Sequence, residues 1–474
     1  MTLMKKRIWH GGSCLAALML AGCAGVAVDR QSLGGPAQVE VPQQWSQVAG
    51  GAVESDADLS RWWRQLEDPQ LTGLVEQALA ANPGLLGARQ AVLQSRAQFA
   101  QARAGLLPSV NASASAQRAR QGNNGGSNSY STGLDASWEF DLFGRLGAGV
   151  EASSADLAAT QAALEGARVS LAAEVALAYI DLRGAQQRLQ IARSNLQSQQ
   201  ETLQITQWRR QAGLTTALVE EQSRTQVQQT AAQIPQLEAS MAQSRHSLAV
   251  LTGQAPAALD AALRPGSGLP VAPERLTLRF PADTLRQRPD VQQAEHQVRA
   301  ALARADQARA ARYPRLTLSG SLGLGAATIG ALSSGSAVAA SVLGGLAVPV
   351  FDGGALRAQA EGQAAALEQA RAGYQSTVLA ALQEVEDALA SLQGDGQRLR
   401  QLEQAAQAAA NANLLAQQQY GSGLVDFQTV LETQRSLLST QDGVASTQAA
   451  LLQDHVRLYK ALGGGWSPMA DFHE

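Results

Sequence analysis

Cysteine, aromatic residues and charge are all scarce in this 474-residue chain, and each shortage removes a class of protein. Two cysteines cannot build a disulfide framework or a cysteine-based zinc site. Seven Trp, six Tyr and seven Phe are too few for the cores of two or three ordinary globular domains. A charged fraction of 16% and a formal charge of −3 leave no positive field to hold nucleic acid. Histidine is sparse too. His10, His246, His296, His455 and His473 lie apart, without HxH or HExxH spacing, and read as solvated helix or tail positions rather than metal ligands. No GxSxG occurs, and Gly463-Gly464-Gly465 lacks a following Lys-Ser/Thr, so it reads as a helix C-cap and not a phosphate loop. The expectation is a protein that is not an enzyme and holds no metal or cofactor. Ala and Gln are what the chain has in plenty, a mix suited to long helices with narrow, small-residue seams.

The amino terminus carries an address. Lys5, Lys6 and Arg7 precede an apolar run from 14 to 20 that is too short to span a bilayer, and small residues follow it. Residues 1–22 therefore read as a secretory signal peptide. Leu20-Ala21-Gly22-Cys23 resembles a bacterial lipobox, which implies S-diacylglycerol and N-acyl chains on Cys23. Such multiple acylation is an effectively permanent anchor. In this lipoprotein class Ala24, where Asp would imply inner-membrane retention, favours the outer membrane. Removal of the signal takes three positive charges and moves the formal charge from −3 to −6.

The remainder repeats itself. Asn82-Pro83 aligns with Arg288-Pro289, and Leu107-Pro108 with Tyr313-Pro314, at an offset of 206. Phe140-Asp141 aligns with Phe351-Asp352 at 211, and Gly213-Leu214 with Gly423-Leu424 at 210. Each copy reads as a short helix, a strand pair, a long helix and a further helix. In the first long helix Leu171, Val175, Ala178, Leu182, Ala185, Leu189, Ala192, Leu196, Gln199 and Leu203 alternate steps of four and three, a coiled-coil seam. The second copy keeps this register with polar lapses at Asp395 and Asn413. Asp141 and Asp352, at the strand-to-helix junctions, are expected to cap the long helices.

Between the helices the pattern changes to period two. Tyr130, Thr132, Leu134, Ala136, Trp138 and Phe140 alternate with Ser131, Gly133, Asp135, Ser137 and Glu139, and Leu316 to Leu324 repeat the pattern. Four segments of about ten residues suit tilted transmembrane barrel strands. Four strands cannot close a barrel, and open edges are not tolerated in lipid. Spanning strands would thus have to be shared among several chains. The competing expectation is a lipid-anchored envelope spacer with soluble hairpins, in which Leu134, Trp138, Phe140 and Leu318 would pack on protein.

These motifs resemble those of the bacterial outer-membrane factors, the TolC-like export channels, and within them the OprM/NodT-type lipoproteins. The resemblance rests on Asn82-Pro83, Leu107-Pro108-Ser109, Trp138-Glu139-Phe140-Asp141-Leu142-Phe143-Gly144, Arg288-Pro289-Asp290-Val291, Tyr313-Pro314, Val350-Phe351-Asp352-Gly353-Gly354 and Tyr420-Gly421-Ser422-Gly423. It implies a mainly α fold with membrane β, a duplicated helix–hairpin–long-helix unit. Three copies would form a periplasmic α-barrel tunnel and a shared 12-stranded outer-membrane β-barrel. The implied divisions are a lipidated and equatorial segment at 23–81, a first repeat at 82–264 (strands about 109–140, long helix about 145–211), and a linker at 265–282. A second repeat at 283–464 (strands about 315–350, long helix about 354–420) and a tail at 465–474 complete it. The implied function is a passive exit duct for small molecules such as drugs. Its implied partners are its own copies in a homotrimer, outer-membrane lipid, a periplasmic membrane-fusion adaptor and an inner-membrane RND-type pump, with no nucleic acid. The resemblance places a periplasmic gate carboxylate at Glu432, with Gln428 one turn earlier where relatives are apolar. Asp426 is a second acidic candidate, and Tyr420 and Arg435 are candidate contacts that hold the tip shut.

Overall fold

The computed structural model describes residues 41–46, 59–120, 122, 126–264, 268–272 and 281–466. Helix α1 (Pro69–Ala81) precedes a first set of elements: α2 (Pro83–Ala104), β1 (Ser109–Ala119), β2 (Ser127–Phe140), α3 (Arg145–Gln211) and α4 (Ala217–Leu251). A short α5 (Pro281–Gln287) leads into the second set: α6 (Pro289–Ala310), β3 (Arg315–Ala326), β4 (Val338–Ala347), α7 (Ala355–Gly421) and α8 (Phe427–Ala461). The two sets match helix for helix. α2 and α6 have 22 residues, α3 and α7 have 67, and α4 and α8 have 35. At 1.5 Å per residue the long helices run for about 100 Å.

Local chemistry sets these boundaries. Pro83 and Pro289 occupy the first helical turn, where a missing N–H costs nothing. The residue before each proline ties its repeat together. Asn82 Nδ2 donates to the Leu251 carbonyl at 2.9 Å, and Arg288 Nη1 to the Ala461 carbonyl at 2.8 Å. Both acceptors are last residues of a 35-residue helix, so the aligned motifs do the same work with different side chains. The long helices begin as expected. Asp141 accepts from Leu146 N and Gly147 N at 2.9 and 2.6 Å, and Asp352 from Gly354 N and Leu356 N at 2.9 and 2.8 Å.

The helices form a single row. Near the strands the order is α2, α3, α6, α7; toward the far turns it is α4, α3, α8, α7. α3 lies inside this row and buries twenty of its residues, including Leu171, Val175, Leu182 and Leu189 of the seam. α7 lies at the row's edge and buries ten, among them Ala381, Val385, Ala388 and Leu392. The main core gathers at the waist, where Trp62 stacks on Tyr459 at 5.3 Å and Trp63, Leu66, Ile180 and Val456 close around them.

The strands make one antiparallel sheet in the order β1-β2-β3-β4. Its register carries the period-two pattern across all four strands. Ala112 lies opposite Leu134, Leu134 opposite Leu322, and Leu322 opposite Ala340. One face therefore holds Val110, Leu134, Trp138, Leu318, Leu322, Val342 and Leu346, while the other is rich in Ser, Gly and Thr, with Leu343 its large apolar exception. No described helix is long and apolar enough to cross a membrane.

Candidate functional site: the helical tip and the apolar sheet face

The far ends of the two helical hairpins form a tip built from two matching turns. A helix that stops must satisfy its last carbonyls, and a left-handed glycine lets the chain fold back to do so. Gly213 (φ 73°) and Gly423 (φ 77°) adopt that conformation. Leu214 N then reaches the Arg209 carbonyl at 2.8 Å, and Leu424 N the Gln419 carbonyl at 2.9 Å. Ile205, Trp208, Leu214, Leu218 and Leu424 are exposed around these turns.

The five tip residues singled out in the sequence occupy the second hairpin. Asp426 is the N-cap of α8 and accepts from Thr429 Oγ1 at 2.8 Å and Thr429 N at 3.0 Å. These bonds hold its carboxyl below the usual aspartate range. Gln428 Nε2 donates to Glu432 Oε1 at 3.2 Å, one turn along the exposed face of the same helix. Arg435 leaves that pair and crosses to the first hairpin, where its Nε donates to Gln226 Oε1 at 2.6 Å. Tyr420, at the end of α7, lies 5.4 Å from the Phe427 ring across the turn. Within one chain the structure thus joins Gln428 to Glu432 and sends Arg435 and Tyr420 to other partners. Cys23 lies outside the described residues.

Several tip residues escaped the sequence reading. Arg209 lays its guanidinium over the Tyr420 ring at 4.3 Å and donates to the Tyr420 carbonyl at 3.2 Å, tying α3 to the end of α7. Glu220 accepts from Arg210 and, at 2.8 Å, from Arg224. The Arg210 hydrogen bond, with the neighbouring charges, holds the Glu220 carboxyl below its ordinary range. Above the tip, α3 and α8 are joined by a polar ladder. Asp181 meets Gln453 at 2.6 Å, Arg188 meets Asp442 at 2.7 Å, Asn195 meets Gln441 at 2.8 Å and Thr202 meets Gln434 at 3.0 Å. With Arg209 these α3 positions recur every seven residues along one flank of the apolar seam, where coiled coils place interhelical polar contacts. That spacing was the available signal.

One reading needs correction. His455 is not solvated: it is 6% exposed, and its Nδ1 lies 2.8 Å from the Leu451 carbonyl. Burial pushes the imidazole pKa down, and its element packs inward because α8 lies within the row. Among the described residues no three His, Cys, Asp or Glu side chains converge as metal ligands would.

The sheet is the second part of the site. Leu134, Leu318, Leu322, Val338, Val342 and Leu346 are exposed on its apolar face, and among the described residues none is layered over them. Trp138 and Phe140 sit at the helix-proximal end with ring centroids 4.0 Å apart, and Phe143 stacks on Tyr313 at 5.0 Å just beyond. An apolar band rimmed by aromatics is the lipid-facing surface of a barrel wall.

Comparison with known proteins agrees with this geometry. The profile of the family described as "Outer membrane efflux protein" matches residues 74–254 and 280–464. The pyoverdine export outer membrane protein OpmQ of Pseudomonas aeruginosa is 33% identical over 95% of this chain and 96% of its own. The outer membrane protein OprJ of the same organism is 33% identical over 98% of this chain and 97% of its own. Among solved structures, the outer-membrane channel OprN superposes with a TM-score of 0.86 at 35% identity, covering 92% of this chain and all of that one.

Proposed function

Because the chain belongs to the outer membrane efflux protein family, and is thus an outer-membrane efflux channel reaching into the periplasm, we propose that it works as a passive homotrimer. The observation that carries this is the pair of open edges. The sheet ends in unpaired strands at β1 and β4, and the helical row ends at the sparsely buried α7. Lipid tolerates no open sheet edge, and three copies of a four-stranded sheet supply the twelve strands of a closed barrel. The same operation wraps three helical rows into a tunnel whose polar wall requires no recognition of cargo. Small molecules such as drugs fit that duct. The uncovered faces of Leu134 and Leu318 favour this reading over an envelope spacer, which would bury them.

In this reading the signal ends at residue 22 and Cys23 bears the lipid anchor. A periplasmic membrane-fusion adaptor docks at the tip, where the exposed Trp208, Leu214 and Leu424 await a cover, and an RND-type inner-membrane pump supplies the energy. Three Glu432 carboxylates about the threefold axis repel one another and attract cations in a confined space, so the ring both selects and narrows. Gln428, hydrogen-bonded to Glu432, orients that carboxylate. Single-channel conductance in planar bilayers tests the proposal, comparing wild type with a Glu432→Ala, Gln428→Ala variant. Small, cation-preferring openings that enlarge in the variant support the gate. Openings unaltered by both changes would move the gate elsewhere, and an inserted trimer that never conducts would sink the channel reading.

A further inference from the structure

The apolar face of the sheet carries one charge, and it stands at one height. Val110, Ala112, Ala114 and Ala116 of β1 point to this face, and the next position on it is Arg118. Across β2, β3 and β4 every other residue on the face is uncharged. Arg118 pairs with Asn128, ten residues along β2 from Trp138 at the helix-proximal rim. Ten residues at about 3.3 Å each, tilted by about 40° as barrel strands are, rise about 25 Å. That is the height of the apolar band of an outer-membrane barrel. Arg118 therefore stands at the outer headgroup level while Trp138 stands at the periplasmic one. Tyr130, one row below Asn128 on the same face, supplies the aromatic of the outer rim.

The surrounding sequence leaves this charge unanswered. Arg120 follows two residues later, and no Asp or Glu occurs from 109 to 134 or from 316 to 351. Among the described residues neither arginine has an ion pair. Both are exposed, and Arg118 reaches over Gly126 of the hairpin, where a side chain on that residue would meet its Nε at 3.5 Å. A cation on the lipid face is costly at mid-bilayer and nearly free at the interface, so its placement at the rim is tolerated. Arginine's planar fork matches phosphate oxygens, which makes this pair suited to a headgroup with uncompensated phosphate charge more than to a zwitterionic one, whose own ammonium balances its phosphate.

We propose that Arg118 and Arg120 form a binding site for the phosphorylated glycolipid of the outer leaflet, repeated three times around the barrel. The site holds the headgroup phosphate against the rim while Val338 and Leu324 of the same sheet face lie at the level of the acyl chains. The inference rests on the shared-barrel reading.

The test uses the full-length lipidated protein in phosphatidylcholine nanodiscs doped with bisphosphorylated lipid A, read by native mass spectrometry as lipid retained per trimer. Arg118→Gln with Arg120→Gln is expected to cut retention about twenty-five-fold, about fivefold for each arginine near the surface. Arg315→Gln, at the periplasmic end of β3, should leave retention unchanged. Lipid A stripped of both phosphates should be lost from wild type. Equal retention by the double variant, retention of the dephosphorylated lipid, or equal retention of phosphatidylglycerol would overturn the proposal. A spectrum with no trimer overturns the shared barrel and this site with it, whereas an intact trimer with unchanged retention overturns this site alone.

Discussion

Replacing Arg209 by alanine should loosen the helical tip, and the structure sets the size of the effect. The guanidinium lies 4.3 Å above the Tyr420 ring and donates to the Tyr420 carbonyl at 3.2 Å. An exposed cation–π contact contributes about 0.5–1 kcal/mol. A cation on the free carbonyls at a helix C-terminus contributes about 0.3–1 kcal/mol. Arg209→Ala therefore removes about 1–2 kcal/mol per chain, and about 3–6 kcal/mol when three chains open together. Moving a gate from 1% open to half open takes about 2.7 kcal/mol, so the variant trimer should be open for much of the time. Arg209→Lys keeps the charge at the end of α7 and gives up the flat stack, and it should fall between. Open probability in planar bilayers is the assay, with melting temperature and trimer content as controls. Wild-type open probability in an Arg209→Ala trimer of normal stability would refute the reasoning, because the contact would then hold nothing that moves.

Two other expectations concern the sheet and the buried acid of α8. Leu322→Arg places a charge within the apolar band and should cost about 2–4 kcal/mol per chain, while Ser319→Arg on the opposite face should assemble normally; the yield of heat-modifiable trimer on semi-native gels separates them. Asp454 is 2% exposed, and burial, helped by Asp395, pushes its carboxyl pKa up. A raised carboxylate pKa means that ionisation weakens the fold, a penalty present above the folded-state pKa and relieved as pH falls through it. Asp454→Asn should therefore raise the melting temperature near pH 8 and lose that advantage on acidification; an advantage that grows as the pH falls would show the sign to be wrong.

Helix boundaries were legible because their causes are local. Pro83 and Pro289 mark helix starts, Asp141 and Asp352 cap the long helices, and Gly213 and Gly423 turn the chain where their backbone requires a positive φ. Recurrence at nearly constant offset doubled each of these signals. The period-two segments were legible for the same reason, since alternation along a strand needs no knowledge of its neighbour. Side-chain partnerships were less visible. His455 looked like any solvated helical histidine until the position of α8 inside the row fixed which of its faces is buried. Asp426 was visible as an acidic residue of the tip, whereas its bond to Thr429 at the start of α8 was not.

The sequence by itself determined the repeat, the lengths of the helices, the apolar seam and the two-faced strands, all properties of contacts within a few turns or a single strand. Only the tertiary structure decided that β2 pairs with β3, residues nearly two hundred apart, to make one sheet from two hairpins. It also decided that Arg209 meets Tyr420, that Arg435 meets Gln226, and that Arg118 stands at the far rim of the apolar face. These depend on register between elements distant in the chain. Register is set by how whole faces fit together, and no stretch of sequence holds both halves of that fit.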